Sequence, residues 1–193
     1  MTENVNPGSN VSIALLHHPV YDKNRQVVTT SVTNLDLHDI ARAAKTYGLF
    51  RYYVVNPVAE QRALAERIAR HWQVGWGATY NPKRREALDL MRVVAGLDDA
   101  LEDLRASYGK PARILVTGAQ RQLNSISCAE MTELIRDRSY PCLLLFGTGW
   151  GLTEEFFAKA DYVLESIKGP GDYNHLSVRS AAAIILDRLL GQR

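Results

Sequence analysis

The sequence predicts an α/β fold built on a mostly parallel sheet with helices on both faces. Short apolar or β-branched runs alternate with amphipathic stretches along the chain, the pattern of successive strand–helix units. The runs VSIALLH (11–17), RYYVVN (51–56), ARILVTG (112–118) and CLLLF (142–146) suit buried strands. Three later loops, TGAQRQLNS, GTGWGLT and IKGPGDYNHLS, follow such runs. Open parallel sheets take ligands beyond the C-terminal ends of their strands, where these loops belong.

The elements follow in order. Residues 1–10 read as a loose polar tail, and 11–193 as one domain. After the first strand, 18–34 is a long polar loop without a helical period, a length associated with function or mobility. Helix 36–50 carries Leu37, Ile40, Ala41, Ala44 and Tyr47 at helical spacing, with Asp36 as its N-cap and Gly48 as C′. Three helices are expected over 58–72, 80–96 and 97–109, so that 58–109 reads as a helical insert. Helix 126–137 follows the strand at 112–118. Beyond the run at 142–146 come a short helix (153–160, capped by Thr153), a brief strand (162–166) and a last helix (175–191).

Composition sets the outer bounds. The chain has 193 residues, 46% hydrophobic and 23% charged, with net charge +2. A core of ordinary size is affordable, so neither metal nor disulfide is needed for folding. Cys128 and Cys142 are too far apart for a CxxC pair, and the histidines show no metal-ligand spacing. The N-terminal residues lack a signal-peptide pattern. No apolar run approaches the roughly 20 residues of a membrane helix. A cytoplasmic protein with no membrane partner is the expectation.

The loop FGTGWGL poses the functional question. Gly147, Gly149 and Gly151 alternate after an apolar strand. The spacing is one residue short of the dinucleotide fingerprint G-x-G-x-x-G, and too little chain follows it for a dinucleotide-binding half. No G-K-[ST] follows to make a phosphate-binding loop either. A second irregular loop comes one short helix later: Gly169, Pro170 and Gly171, then Asp172, Tyr173 and Asn174 leading into a helix with small residues Ser180–Ala183.

Together these segments resemble the SPOUT superfamily of S-adenosylmethionine-dependent RNA methyltransferases. Its second motif is an apolar strand, a glycine turn, Gly-Leu, a short helix and Ala-Asp. LLLFGTGWGLTEEFFAKADYVL matches it, ending at Ala160 and Asp161. Its third motif opens the last helix, here YNHLSVRSAA. The first-half motif N-x-G-x-x-x-R-x-A is similar to DLHDIARAA, with Arg42 and Ala44 aligned, Asp36 in place of the Asn and His38 in place of the Gly. Gly149 stands where many members have a glutamate. The resemblance covers the chain apart from the tail and is closest to a small bacterial family.

It implies a C-terminal deep trefoil knot, a homodimer, and transfer of a methyl group from S-adenosylmethionine to tRNA or rRNA, leaving S-adenosylhomocysteine. The implied cofactor walls are Thr117, Gly118 and Ala119; Phe146, Gly147, Thr148, Gly149 and Gly151; and Ile167, Gly169, Tyr173, Asn174 and Leu176. Ile167 and Leu176 are placed to flank the adenine, and the glycines to let bare backbone approach it. Arg42, Asn174 and Ser177 are the implied catalytic residues. Arg42 reads equally as a solvated helix charge, and Asn174 and Ser177 as helix caps. His17 and His18 end the first strand, where two adjacent histidines more often do local surface work than catalysis. For RNA contact the candidates are Lys23, Arg25, Lys83, Arg84, Arg85 and Arg121. Two other readings stay open: a SPOUT-like RNA-binding module with little catalysis, and an α/β protein holding NAD or a flavin.

Overall fold

The computed structural model describes residues 10–119, 122 and 124–192. In chain order the elements are β1 (Val11–Leu16), β2 (Val20–Tyr21), β3 (Val27–Val28), α1 (Asn34–Thr46), β4 (Arg51–Val55), α2 (Ala59–Gln73), α3 (Trp76–Tyr80) and α4 (Pro82–Leu88). There follow β5 (Met91–Val94), α5 (Leu97–Tyr108), β6 (Arg113–Val116), β7 (Ser125–Ile126), α6 (Cys128–Arg136), β8 (Cys142–Gly147), α7 (Glu154–Ala158), β9 (Tyr162–Leu164) and α8 (Val178–Leu190).

Seven strands form one sheet in the order β5-β4-β1-β8-β6-β9-β7, and each pairing in it is parallel. β1 and β8 lie at its centre, paired from Val11↔Cys142 to Leu16↔Gly147. Both faces of the sheet are covered, which is why these strands read as unbroken apolar runs. Successive side chains still go to opposite faces. Ile13, Leu15 and Leu144 join the core under α1, α2, α6 and α8. Ala14, Leu16, Leu143 and Leu145 join the core under α5 and α7.

From β1 the chain moves outward through β4 and β5, then returns to the other side of β1 for the remaining strands. The seam between β1 and β8 is therefore the topological switch point, and the crevice at its carboxyl end is the preferred ligand position.

Several expectations change. The helix expected over 80–96 is the short α4 followed by strand β5, which pairs with β4 from Tyr52↔Met91 to Val55↔Val94. The expected helical insert at 58–109 thus supplies a strand to the sheet. The β-branched MRVV segment has a neighbour to pair with, and that pairing outweighs weak helical periodicity. Within the loop expected at 18–34, β2 and β3 form a small antiparallel ribbon. The N-cap of α1 is Thr33, whose Oγ1 accepts from Asp36 N; Asp36 is the third helical residue. Gly48 does close that helix, at φ +67. Thr153 stands at the N-cap of α7, yet its buried hydroxyl has no partner. α6 begins at Cys128, capped reciprocally by Ser127 and Glu130, and α8 begins after Ser177.

Candidate functional site

A cavity of about 940 Å³ opens beyond the carboxyl ends of β1, β6, β8 and β9. Its walls are Thr30, Ser31, Thr33 and Asp36 between β3 and the first turn of α1, Thr117–Ala119 after β6, Phe146–Leu152 after β8, and Ile167 with Asn174–Arg179 after β9. These loops are tied to one another. Asn174 Nδ2 donates to the Ala119 carbonyl at 2.8 Å. Thr148 donates from both N and Oγ1 to the Leu16 carbonyl, at 3.2 and 3.0 Å.

Thr148 also anchors a short polar chain. With its hydroxyl proton on Leu16, Thr148 Oγ1 accepts from Thr30 Oγ1 at 2.5 Å, and Thr30 Oγ1 accepts from His17 Nδ1 at 2.9 Å. His17 is fully buried and its Nε2 has no partner. Burial pulls its pKa down to about 4, against a smaller opposing pull from Asp36. His17 is thus a neutral core strut for the glycine loop, not the surface residue that its position at a strand end suggests.

The glycines of that loop also do something other than expected. A Cβ on Gly147 would stand 2.8 Å from Leu152 N and Cγ. One on Gly149, which has φ +59, would stand 2.8 Å from the Tyr21 carbonyl. At both positions the missing side chain makes room for the protein's own backbone as the loop folds against β2, where Trp150 N donates to Tyr21 O at 2.8 Å.

Two charged side chains stand in the described cavity wall: Asp36, and Arg179 in the first turn of α8. Its guanidinium meets Asp36 Oδ1 at 3.4 Å and Asp39 Oδ2 at 3.6 Å, both from α1. Asp36 is nearly buried and also accepts from Thr33 Oγ1 at 2.6 Å. Sequence reasoning missed Arg179; the signal lay in its place within SVRSAA, one turn into the last helix.

Of the expected cofactor residues, all but Gly169 and Tyr173 line the cavity. Tyr173 is 80% exposed. Asn174 and Ser177 line it too, but Ser177 Oγ is engaged in capping, accepting from Ser180 N at 3.3 Å. Arg42 lies outside the lining, its side chain exposed and 4.0 Å from Asp39.

Among the expected RNA-contact residues, Arg25 stacks over Tyr21 and pairs with Glu154 at 3.4 Å, joining the β2–β3 ribbon to α7. Lys23 is exposed on the same ribbon's turn. Lys83 pairs with Glu86 at 2.9 Å and Arg85 with Asp89 at 4.0 Å. Arg84 lies over the Trp72 ring, with His38 edge-on to the same indole. Burial and the nearby Arg84 charge hold the His38 pKa below its ordinary value. Arg121 lies outside the described residues.

Comparison with known proteins gives a family and a fold. A sequence model of the family described as "SAM-dependent RNA methyltransferase" matches residues 10–191. An "Uncharacterized protein" of Aquifex aeolicus (strain VF5) is 41% identical over 95% of this chain and 89% of its own length. The "tRNA (guanine-N(1)-)-methyltransferase" of Oleidesulfovibrio alaskensis is 40% identical over 98% of this chain, and that of Nitratidesulfovibrio vulgaris is 43% identical over 96%. This chain spans only 44% and 43% of those two relatives, so their named activity is a property of the longer proteins.

Among solved structures, the SpoU methyltransferase AviRb of Streptomyces viridochromogenes with AdoMet superimposes with TM-score 0.59 and 18% identity, covering 96% of this chain and 58% of that one. The TrmH/SpoU tRNA modifying enzyme of A. aeolicus gives 0.55 and 16%, covering 94% and 74%. These likenesses place the fold among the SpoU methyltransferases. The parallel sheet with its cavity at the β1–β8 seam agrees with the match along nearly the whole chain: the protein belongs to the family of SAM-dependent RNA methyltransferases.

Proposed function

We propose that this chain binds S-adenosylmethionine in the 940 Å³ cavity and transfers its methyl group to a nucleotide of tRNA or rRNA. The observation that carries the proposal is the character of the walls. Backbone from three strand-end loops alternates with aliphatic Ile167, Leu176 and Ile185, the lining suited to an adenosyl group. Among the described lining residues the single arginine or lysine is Arg179, already held by Asp36 and Asp39. A dinucleotide pyrophosphate needs more positive charge than that, whereas a cofactor with a sulfonium and an amino-acid zwitterion suits a wall bearing one cation and one anion.

When bound, S-adenosylmethionine supplies an electrophilic methyl group for in-line displacement. The chain's own task is then alignment and proton removal. The loops tied by Asn174–Ala119 and Thr148–Leu16 fix the walls. The salt-bridged Arg179 holds the start of α8 against α1. His175 is the imidazole in the lining, available to take a proton from the attacking group. His17 is unsuited to that, being wholly buried behind Thr30. Closure of the last segment as a trefoil knot, pairing of two chains and a cytoplasmic setting belong to the same proposal, supported by the SpoU-type fold.

Calorimetry with S-adenosylmethionine, S-adenosylhomocysteine and NAD tests the pocket. Micromolar binding of the first two and none of NAD is expected; no binding of either methionine cofactor removes the proposal. Transfer of labelled methyl to RNA from a strain lacking the gene separates an enzyme from an RNA-binding module.

A further inference from the structure

Phe146, Leu152 and Ile185 are buried in the cavity lining beside polar Asp36, Thr117 and Arg179, whereas exposed aromatic rings stand at its opening. Trp150 and His175 both line the opening. Their ring centroids lie 6.1 Å apart at 71°, and Tyr173 meets His175 at 5.5 Å and 62°. Edge-on contacts of this kind leave a face of each outer ring open. Trp150 is 60% exposed and Tyr173 80%. Large aromatic side chains left this open in a group at one rim mark a place where something docks.

The mouth is also held in position. Trp150 sits between Gly149 and Gly151, with its amide fixed to the Tyr21 carbonyl at 2.8 Å. Asn174, between Tyr173 and His175, is fixed to the Ala119 carbonyl. Two independent backbone anchors, one in each loop, therefore hold the rings in contact with one another. An enclosed ligand needs enclosed partners, and buried Phe146, Leu152 and Ile185 supply those. Rings turned to solvent serve a group that arrives from solution.

We propose that Trp150, Tyr173 and His175 form a stacking mouth that receives the unstacked base of the target nucleotide and sets it over the cofactor pocket. Any nucleobase offers a π-face, and single-stranded RNA is recognised largely by stacking on aromatic side chains. An enzyme that acts on one nucleotide must first take it out of its stack. At about 940 Å³ the cavity is at the upper end of small-molecule pockets, leaving room for a second group beside a cofactor. Lys168, exposed in the loop that carries Tyr173, supplies positive charge for the adjoining phosphates. The inference rests on the methyl-transfer reading above and adds the residues that position the substrate.

The test uses the full chain with tRNA and rRNA purified from a strain lacking the gene. Both rings are exposed, so Trp150→Ala and Tyr173→Ala leave the core intact. Each is expected to raise the KM for RNA about tenfold or more, with affinity for S-adenosylhomocysteine within about twofold of wild type. Trp150→Phe keeps a ring and should restore RNA affinity. A parallel loss of S-adenosylhomocysteine affinity would mean that the rings cap the cofactor, and would overturn the proposal. So would unchanged RNA affinity, or a Trp150→Ala protein whose sedimentation shows that a contact between copies was lost. A wild-type chain that binds no methionine cofactor strikes the methyl-transfer reading alone; filter binding of the same RNA to the three variants then decides the mouth.

Discussion

Acid should destabilise this protein through one buried imidazole. His17 ends the central strand β1, wholly buried, with Nδ1 on Thr30 and Nε2 unpaired. Its folded pKa is about 4 against an ordinary 6.5. The unfolded chain therefore binds a proton at a higher pH than the folded one does. Stability from the neutral imidazole is complete above about pH 6.5 and falls as pH drops toward 4, below which it changes no further. Over that window, at about 1.4 kcal/mol per pH unit, the loss amounts to about 3 kcal/mol. That is a large share of the 5–15 kcal/mol typical of a domain.

Urea unfolding at several pH values between 7 and 4 measures it, with His17→Asn as the control. The Asn amide keeps a donor near the Nδ1 position but does not titrate. Its own packing defect should cost about 1 kcal/mol at every pH. Wild type should thus lose about 3 kcal/mol more than His17→Asn across the window. A stability difference between the two that stays constant from pH 7 to 4 would refute the reasoning.

Other substitutions probe the loops. Gly149→Ala places a Cβ 2.8 Å from the Tyr21 carbonyl at φ +59; it should cost about 1–3 kcal/mol, read as a fall in Tm, and an unchanged Tm would show that the loop moves freely off β2. Asn174→Ala removes the tie to Ala119 and should weaken S-adenosylmethionine binding about fivefold, the equivalent of about 1 kcal/mol, measured by calorimetry. Arg179→Ala strands the nearly buried Asp36 and should lower stability by about 2 kcal/mol, checked by chemical denaturation. Arg42→Ala, exposed and outside the lining, should leave stability within about 0.5 kcal/mol and cofactor affinity unchanged; slowed methyl transfer is expected only from the role the SPOUT resemblance implies, and full turnover would withdraw that role.

Much of this was legible in the residues. The central strands declare themselves because a strand covered on both faces must be apolar at every position, as VSIALL and CLLLFG are. The motif order FGTGWGL then YNHLSVRSAA named the walls of the cavity because loops at the ends of parallel strands are where such folds bind. What was not legible depends on partners distant in sequence. MRVV became β5 only because β4 stands beside it. Gly149 is required by a carbonyl 128 positions earlier, at Tyr21, and periodicity carries no trace of such an approach.

The division has a physical cause. Local sequence fixes what a segment must bury and where a turn must break it, and so it determined the α/β class and the positions of the loops that wall the cavity. Charge and proton state depend on what the fold brings within a few ångströms. Tertiary structure alone set Arg179 against Asp36 and Asp39, buried His17 behind Thr30, and gathered Trp150, Tyr173 and His175 at one rim.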